Sequence, residues 1–544
     1  MDNKEKKESY DELVYKANPF ADTAMMKLEA YAYFYGLNPQ KATKARVLEL
    51  GTSFGGNLIA QAINFEDNYY VGVDLSHEQI KKGNEIIKKL GLKNIELHQK
   101  DILTIDESFG KFDYIISHGV FSWVPNDVKH KMIEICNQNL NENGIAYLSY
   151  NTYPGWKEAS KVRDMMMYVN KFYPNLSLLE KTERGRIVVE IFKEQIELYP
   201  DLKERSKGYL EWMDSVLKHK NYYLGHEYLE MFNDPLYIHQ FAELADKNGL
   251  KYFTDTNLKL SMATSYKKET VEKLQQLSGG DNVIKEQCID FILDTKFRKS
   301  LMCKKSQTEK LNFSESIPNT IIDTLYYVIK NKIEIAELED KVLEEALKHL
   351  LSQKHGEFQI EDAKKFLEDK DLNQEQKDKI VQEIRGFILN NVITGNLNFY
   401  LTRIERVSFV ENETYVPEKF IKYVEVILSE DGQYIGIGNF KNEIFPVDTI
   451  ELLLLQQLKE PTTKDKLISE LEKLGLKRMV DGKEEDVDPA EYLEMFLEKY
   501  ENLEVLDLEV PESVEIVKDE FGGAYISYEN KYMDGFYIAK LRKN

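Results

Sequence analysis

Cysteine is nearly missing from this chain: Cys136, Cys288 and Cys303 are its three, odd in number, far apart and without C-x-x-C spacing. Neither a disulfide framework nor a zinc site follows from such a set, so no metal is expected and a reducing compartment fits best. Long apolar runs are absent too, none approaching the ~20 residues of a membrane helix, and the opening Met1-Asp2-Asn3-Lys4-Glu5-Lys6-Lys7-Glu8 lacks the apolar stretch of a signal peptide. The expectation is a cytoplasmic protein with no membrane insertion. Basic residues are in deficit, 72 Lys and Arg against 94 Asp and Glu, for a net charge of −22. That surface repels phosphate backbones, so nucleic acid is not an expected partner. Proline is scarce at 13 residues, whereas 42% of the chain is hydrophobic, which excludes collagen-like, low-complexity and wholly disordered classes.

What is present reads as several packed domains, since 544 residues exceed the size at which one core stops growing. Residues 45–50 form a short apolar strand, 51–56 a glycine turn and 57–63 a helix. A second unit follows, with a strand at 69–74, Ser76 as cap, a helix over 77–90 and Gly91 as its stop. Residues 94–98 and 112–117 continue the strands, 128–140 a helix and 144–150 a fifth strand. This alternation predicts an α/β doubly wound parallel sheet. A late helix at 235–248, a strand at 250–256 and an edge strand at 297–304 complete it, and a mostly helical 156–228 roofs its C-terminal edge. Beyond about 306, helical stretches at 320–329, 335–351 and 374–393 with a short strand at 407–409 predict an α+β, winged-helix-like module. A second module begins near 449–455, with a helix at 463–474 and a strand-rich tail from 503. Acidic clusters at 337–340 and 484–486 favour protein contacts over DNA for these modules.

The chemistry concentrates at Glu49-Leu50-Gly51-Thr52-Ser53-Phe54-Gly55-Gly56-Asn57, whose glycines let a ligand approach the backbone at a strand's C-terminal end. The dinucleotide fingerprint G-x-G-x-x-G needs glycine where Ser53 stands, so a sulfonium nucleoside, S-adenosylmethionine, ranks ahead of NAD. Asp74 ends the second strand, where a carboxylate accepts both ribose hydroxyls, and Asp101 with Ile102 follows the third, where an acceptor beside an apolar wall suits adenine. The cofactor set is therefore Glu49, Gly51, Thr52, Ser53, Gly55 and Asn57 in the turn, then Asp74, Leu75, Ser76 and Gln79, then Asp101, Ile102 and His118, with Tyr15 from an N-terminal arm. Plainer readings stand beside these: Asp101 as a helix cap, Glu49 as a carboxylate bonding the turn, His118 as a structural histidine, Trp123 and Trp156 as lid packing, and Tyr10 and Tyr15 as a surface arm.

These residues also carry a resemblance. Val47-Leu48-Glu49-Leu50-Gly51, Gly55-Gly56-Asn57-Leu58, His118-Gly119-Val120-Phe121-Ser122-Trp123-Val124-Pro125 and Ser149-Tyr150-Asn151-Thr152-Tyr153-Pro154-Gly155-Trp156 resemble class I S-adenosylmethionine-dependent methyltransferases that carry a methyltransferase regulatory segment. His226-Glu227-Tyr228-Leu229, Asn233-Asp234-Pro235 and Phe297-Arg298-Lys299-Ser300-Leu301 look like that segment's landmarks. Length and residue usage further resemble the rickettsial protein lysine methyltransferases that modify outer membrane protein B. Two departures from the wider family are Thr52 in place of Cys and Thr23-Ala24-Met25-Met26 in place of Thr-His-Pro. The domains implied are an N-terminal arm and helix at 1–44, a Rossmann-like methyltransferase domain at 45–305 with a helical insertion at 156–230 and a regulatory or substrate segment at about 205–305, and winged-helix-like modules at 306–410 and 411–544.

The activity implied is methyl transfer to lysine side chains, in one or several rounds, leaving S-adenosylhomocysteine. A neutral amine attacks a methyl group on cationic sulfur, so alignment and desolvation govern the rate. Lysine, with a pKa near ~10.4, is only about 0.1% neutral at pH 7.4, and a neighbouring sulfonium favours the free amine. Tyr153, then Asn151 and His118, are the catalytic candidates, and Phe121, Trp123, Tyr153 and Trp156 the substrate-binding ones. The partner implied is a lysine-bearing outer membrane protein met before export, and a homodimer is compatible with the sequence. A methyltransferase for RNA or a small metabolite, and a non-catalytic cofactor-binding adaptor, are the alternatives.

Overall fold

The computed structural model describes residues 17–501 except 315, 354–355, 407–408, 430–434 and 481–482, and beyond 501 only the short strands Glu504–Leu506, Ile516–Lys518 and Ala524–Ile526. A seven-stranded sheet organises the first half. Its strands are β1 (Arg46–Leu50), β2 (Tyr69–Asp74), β3 (Ile95–Gln99), β4 (Phe112–Ser117), β5 (Leu140–Asn151), β6 (Leu250–Asp255) and β7 (Phe297–Lys304), in the spatial order β3-β2-β1-β4-β5-β7-β6. The first five are mutually parallel, as alternating strands and helices require, and β7 runs antiparallel to both of its neighbours. The helix His77–Leu90 starts where the Ser76 hydroxyl accepts the Gln79 amide and stops at Gly91. The C-terminal tips of β1, β2, β3 and β4 thus lie side by side on one edge of the sheet.

One expectation is corrected here. The 297–304 strand is not an edge: it inserts between β5 and β6, paired along Ala146↔Met302 to Asn151↔Phe297 on one side and with β6 on the other. Leu301 and Met302 are fully buried, so hydrophobic packing on both faces, not proximity in the chain, selected that register. Arg298 on the same strand is also fully buried, forked onto Asp290 (Nε–Oδ2 and Nη2–Oδ1, both 2.9 Å) and bonded to Glu286 at 2.9 Å.

The insertion is helical as expected, with Trp156–Asn170, Leu178–Glu197, Pro200–Arg205, Lys207–Lys218 and Asn221–Tyr228. It has its own core of Val162, Met166, Val189, Met213, Val216 and Leu224. Two further helices, Lys268–Ser278 and Asn282–Leu293, fill the β6-to-β7 connection.

In the middle module the expected 320–329 helix divides into a short helix Asn319–Thr324 and a strand Tyr326–Ile329, because Tyr326-Tyr327-Val328-Ile329 pairs antiparallel with Leu397–Tyr400. Aromatic and β-branched side chains fit that pleated surface better than a helix. The helix expected from 335 begins at Lys341, capped by Asp340, and Gln374–Ile393 forms as read. The strand expected at 407–409 lies largely outside the described residues. Helices Glu418–Ser429, Thr449–Gln457, Lys464–Leu474 and Pro489–Glu501 follow. The apolar core runs without interruption from the α/β domain into both modules, with Tyr31 stacked on Phe399 at 4.8 Å and Phe65 against Phe440 at 4.7 Å. Among the described residues no helix is long and apolar enough to cross a membrane.

Candidate active site

The turn after β1 is sharp because Gly51 adopts φ +78°, and a side chain there would strike Val120, which follows β4, at 2.4 Å. Glu49 lies beneath the turn, 3% exposed, with Oε2 accepting from the Thr52 hydroxyl and Oε1 from the Asn57 amide, both at 2.6 Å. Burial raises its pKa to about 7. Glu49 and Thr52 therefore brace the loop from below, which is the plainer of the two roles weighed for Glu49. Asn57 is spent in the same way: its Oδ1 accepts from the backbone of Phe20 at 3.0 Å, the Thr23 hydroxyl at 2.9 Å and Asn442 at 2.7 Å. Its amide anchors the turn rather than reaching for a ligand.

Asp74 caps β2, half-buried, with Oδ2 accepting from the Ser53 amide at 2.8 Å and Oδ1 from that of Ser76 at 3.0 Å. These bonds aim the carboxylate across the glycine turn, while burial raises its pKa. The Ser53 hydroxyl beside it is buried without a hydrogen-bond partner. Leu75 is exposed next to it, and Ser76 and Gln79 are buried in the first turn of the following helix. The backbone of Lys100 donates to Asp74 at 2.9 Å, which brings Asp101 and Ile102 to the neighbouring strand tip. Asp101 caps a short 3₁₀ turn through Leu103 at 2.9 Å and remains half-buried.

His118 follows β4. Its Nδ1 lies 2.8 Å from the Tyr147 hydroxyl, and its ring packs against Phe20 at 4.0 Å and Phe297 at 5.9 Å. Burial lowers its pKa to about 4, so the imidazole is neutral at physiological pH. Past β5, Tyr153 is half-buried beside Tyr237 at 5.3 Å, with the Lys157 ammonium 5.9 Å from its ring. Asn151 is buried and bonds Asn233 at 3.3 Å. Trp123 is half-buried, and Trp156 packs against Trp212 at 6.0 Å. Phe121 is placed differently from its expected substrate role: it is fully buried against Tyr150 and Phe241, because its 3₁₀ turn points it into the core behind the sheet edge. Tyr15 lies outside the described residues.

Residues 17–23 form a strap at the end of the expected N-terminal arm, and the contacts of Phe20, Asp22 and Thr23 are what the sequence reading did not name. Phe20 covers His118, Thr23 and the Phe20 amide hold Asn57, and Asp22 is clasped between Lys27 and Lys299. Burial opposes ionisation of Asp22, yet the two ammonium groups hold its carboxyl well below the usual range. The departure at Thr23-Ala24-Met25-Met26 and the expected N-terminal arm were the signals in this segment.

The arrangement fits an adenosyl sulfonium: a sharp glycine turn at the tip of β1, an unpartnered serine hydroxyl, carboxylates at the tips of the adjacent strands β2 and β3 and a neutral histidine after β4. Residues 41–234 match the family described as a methyltransferase domain, 220–304 a predicted methyltransferase regulatory domain and 406–505 a winged helix domain. The uncharacterized protein RP028 of Rickettsia prowazekii is 38% identical over 256 residues, which are 46% of this chain and 99% of that protein. This chain belongs to the class I methyltransferases. S-adenosylmethionine is the cofactor of the family.

A second protein of Rickettsia prowazekii, the uncharacterized RP789, is 37% identical over 345 residues, so this methyltransferase aligns with 60% of that relative's length and 63% of its own. Among solved structures, PKMT2 from Rickettsia typhi in complex with AdoHcy superposes with a TM-score of 0.74 at 25% identity, covering 90% of this chain and 99% of that one. The similarity extends through the C-terminal modules, not only the sheet.

Proposed function

We propose that this methyltransferase is a protein lysine N-methyltransferase, acting in the cytoplasm on an outer membrane protein of the outer membrane protein B type before its export. The observation that carries the reading is likeness over 90% of the chain to a protein whose name, PKMT2, abbreviates protein lysine methyltransferase. The net charge of −22 supports it, because a negative field draws basic segments toward the site.

In the reaction the lysine nitrogen forms a bond to the methyl carbon as the carbon–sulfur bond breaks. The sulfonium becomes the neutral thioether of S-adenosylhomocysteine, and the methylated ammonium releases its proton to solvent. Asp74 binds the ribose hydroxyls, and Asp101 with Ile102 receives the adenine. The Glu49, Thr52 and Asn57 network keeps the turn in shape. His118, neutral and packed beneath Phe20, adds no positive charge beside the sulfonium, and Phe20 keeps water from that side. Asn151, the last residue of β5, and Tyr153 just beyond it orient the incoming amine, with Trp123 and Trp156 shaping the approach.

The test is peptide mass spectrometry after incubating the enzyme with isotope-labelled S-adenosylmethionine and an unfolded lysine-rich outer membrane protein. Labelled methyl groups on lysine are expected. Label confined to RNA or small molecules in parallel incubations, or none anywhere, would overturn the reading.

A further inference from the structure

The C-terminal module does not merely follow the methyltransferase domain; it reaches the cofactor turn. Between the helices Glu418–Ser429 and Thr449–Gln457, residues 435–445 form a loop whose Ile435 bridges to Ala17 in parallel, and whose Gly436 amide donates to the Ala17 carbonyl at 3.0 Å. A side chain at Gly438 would meet Ala60 at 2.7 Å and Pro19 at 2.9 Å, so the loop lies flush on both the strap and the helix Gly56–Asn64. Phe440 packs on Phe65 at 4.7 Å, and Lys419 pairs with Glu66. On the other side, a Cβ at Gly56 would sit 2.1 Å from the Ala17 carbonyl, so strap and turn are in direct contact.

At the centre is Asn442, fully buried, with φ +58°. Its Nδ2 lies 2.7 Å from Asn57 Oδ1, 3.1 Å from the Phe20 carbonyl and 3.3 Å from Thr23 Oγ1. The Phe20 carbonyl can only accept, which identifies the donor end of Asn442 as the end facing the strap. Asn57 in turn donates to Glu49 under the turn. A continuous chain of hydrogen bonds therefore runs from the C-terminal module through Asn442, Asn57 and Glu49 to the cofactor loop, with a branch to the strap that carries Phe20 onto His118.

We propose that Asn442 is a positioning residue for the cofactor site, and that the C-terminal module fastens the strap of residues 17–23 over the glycine turn through it. Residue 442 touches no cofactor; it sets the shape of the loop that does. Removing its amide leaves Asn57 short of a donor and frees the strap, so cofactor affinity falls while acceptor affinity does not.

The sharpest variant is Asn442→Gly, because glycine adopts the left-handed backbone of this position without strain and only the side chain is lost. Asn442→Asp keeps the shape and removes the donor. Titration calorimetry of the full chain with S-adenosylhomocysteine is expected to show at least a fivefold weaker Kd for both variants. Hydrogen–deuterium exchange should show lost protection in residues 17–24, and the KM for S-adenosylmethionine should rise without a matching rise for the acceptor. Ile444→Ser, at an exposed position of the same loop, should bind as wild type. Wild-type affinity and protection in Asn442→Gly overturn the proposal. So does a loss in Ile444→Ser equal to that in Asn442→Gly, which would mark general loosening. The calorimetric readout does not depend on which acceptor is methylated.

Discussion

The ring of Phe20, from the N-terminal strap, lies 4.0 Å from that of His118 at the tip of β4. Desolvation of this half-buried ring opposes protonation, and its pKa of about 4 lies below the ~6.5 of the unfolded chain. The folded protein then binds fewer protons than the unfolded one between about pH 4 and 6.5, so this group's contribution to stability rises with pH across that window, by at most about 1.4 kcal/mol per pH unit. Buried Glu49 and Glu286, held near 7, and Asp255, near 6, have the opposite sign and lose stability as pH rises through their own ranges. The readout is therefore a difference: urea denaturation of His118→Gln minus wild type between pH 5 and 7.5 should shift in the variant's favour as the pH falls. A pH-independent difference would show that His118 titrates normally.

Asp74 receives the Ser53 and Ser76 amides and aims its carboxylate over the glycine turn. Asp74→Ala should weaken S-adenosylhomocysteine binding by about 1.5–3 kcal/mol, the scale of hydrogen bonds to a charged group. Calorimetry decides it, and an unchanged Kd would remove Asp74 from the ribose.

Tyr153 follows β5, separated from the Asp74 tip of β2 by strands β1 and β4. Tyr153→Phe keeps the ring against Tyr237 and deletes only the hydroxyl. Single-turnover methyl transfer should slow by about a hundredfold, the lower end for a positioned proton-handling group, with the calorimetric Kd for S-adenosylhomocysteine unchanged. Wild-type transfer would assign Tyr153 to packing.

Arg298 tests the scaffold. Its replacement in Arg298→Met strands Glu286 and Asp290 in the interior, and loss of one partner of such a buried cluster costs about 3–5 kcal/mol. A denaturation midpoint within error of wild type would contradict the network.

Much of the sheet was legible because its signals are local. Each parallel strand is a short apolar run next to its own helix, Ser76 and Gly91 bracket one helix, and the glycine turn with Asp74 falls inside one β-α-β unit. The place of β7 was not legible, since pairing partners more than a hundred residues apart are selected by which faces bury together. Tyr326–Ile329 misled for the same reason, as a four-residue apolar run has no period until Leu397–Tyr400 lies beside it. Phe121 belonged to a conspicuous aromatic motif, but motif membership does not say which way a ring points.

The sequence by itself determined the fold class, the nucleoside-type turn and the carboxylates at its strand tips, because those depend on residues close together in the chain and on backbone geometry that only glycine meets. Tertiary structure alone decided that Asn57 bonds inward and not to a ligand, that Phe20 packs on His118, and that Asn442 closes the network from 385 positions away. Buried polar groups must find partners wherever the packed chain supplies them, and that supply is a property of the assembled core.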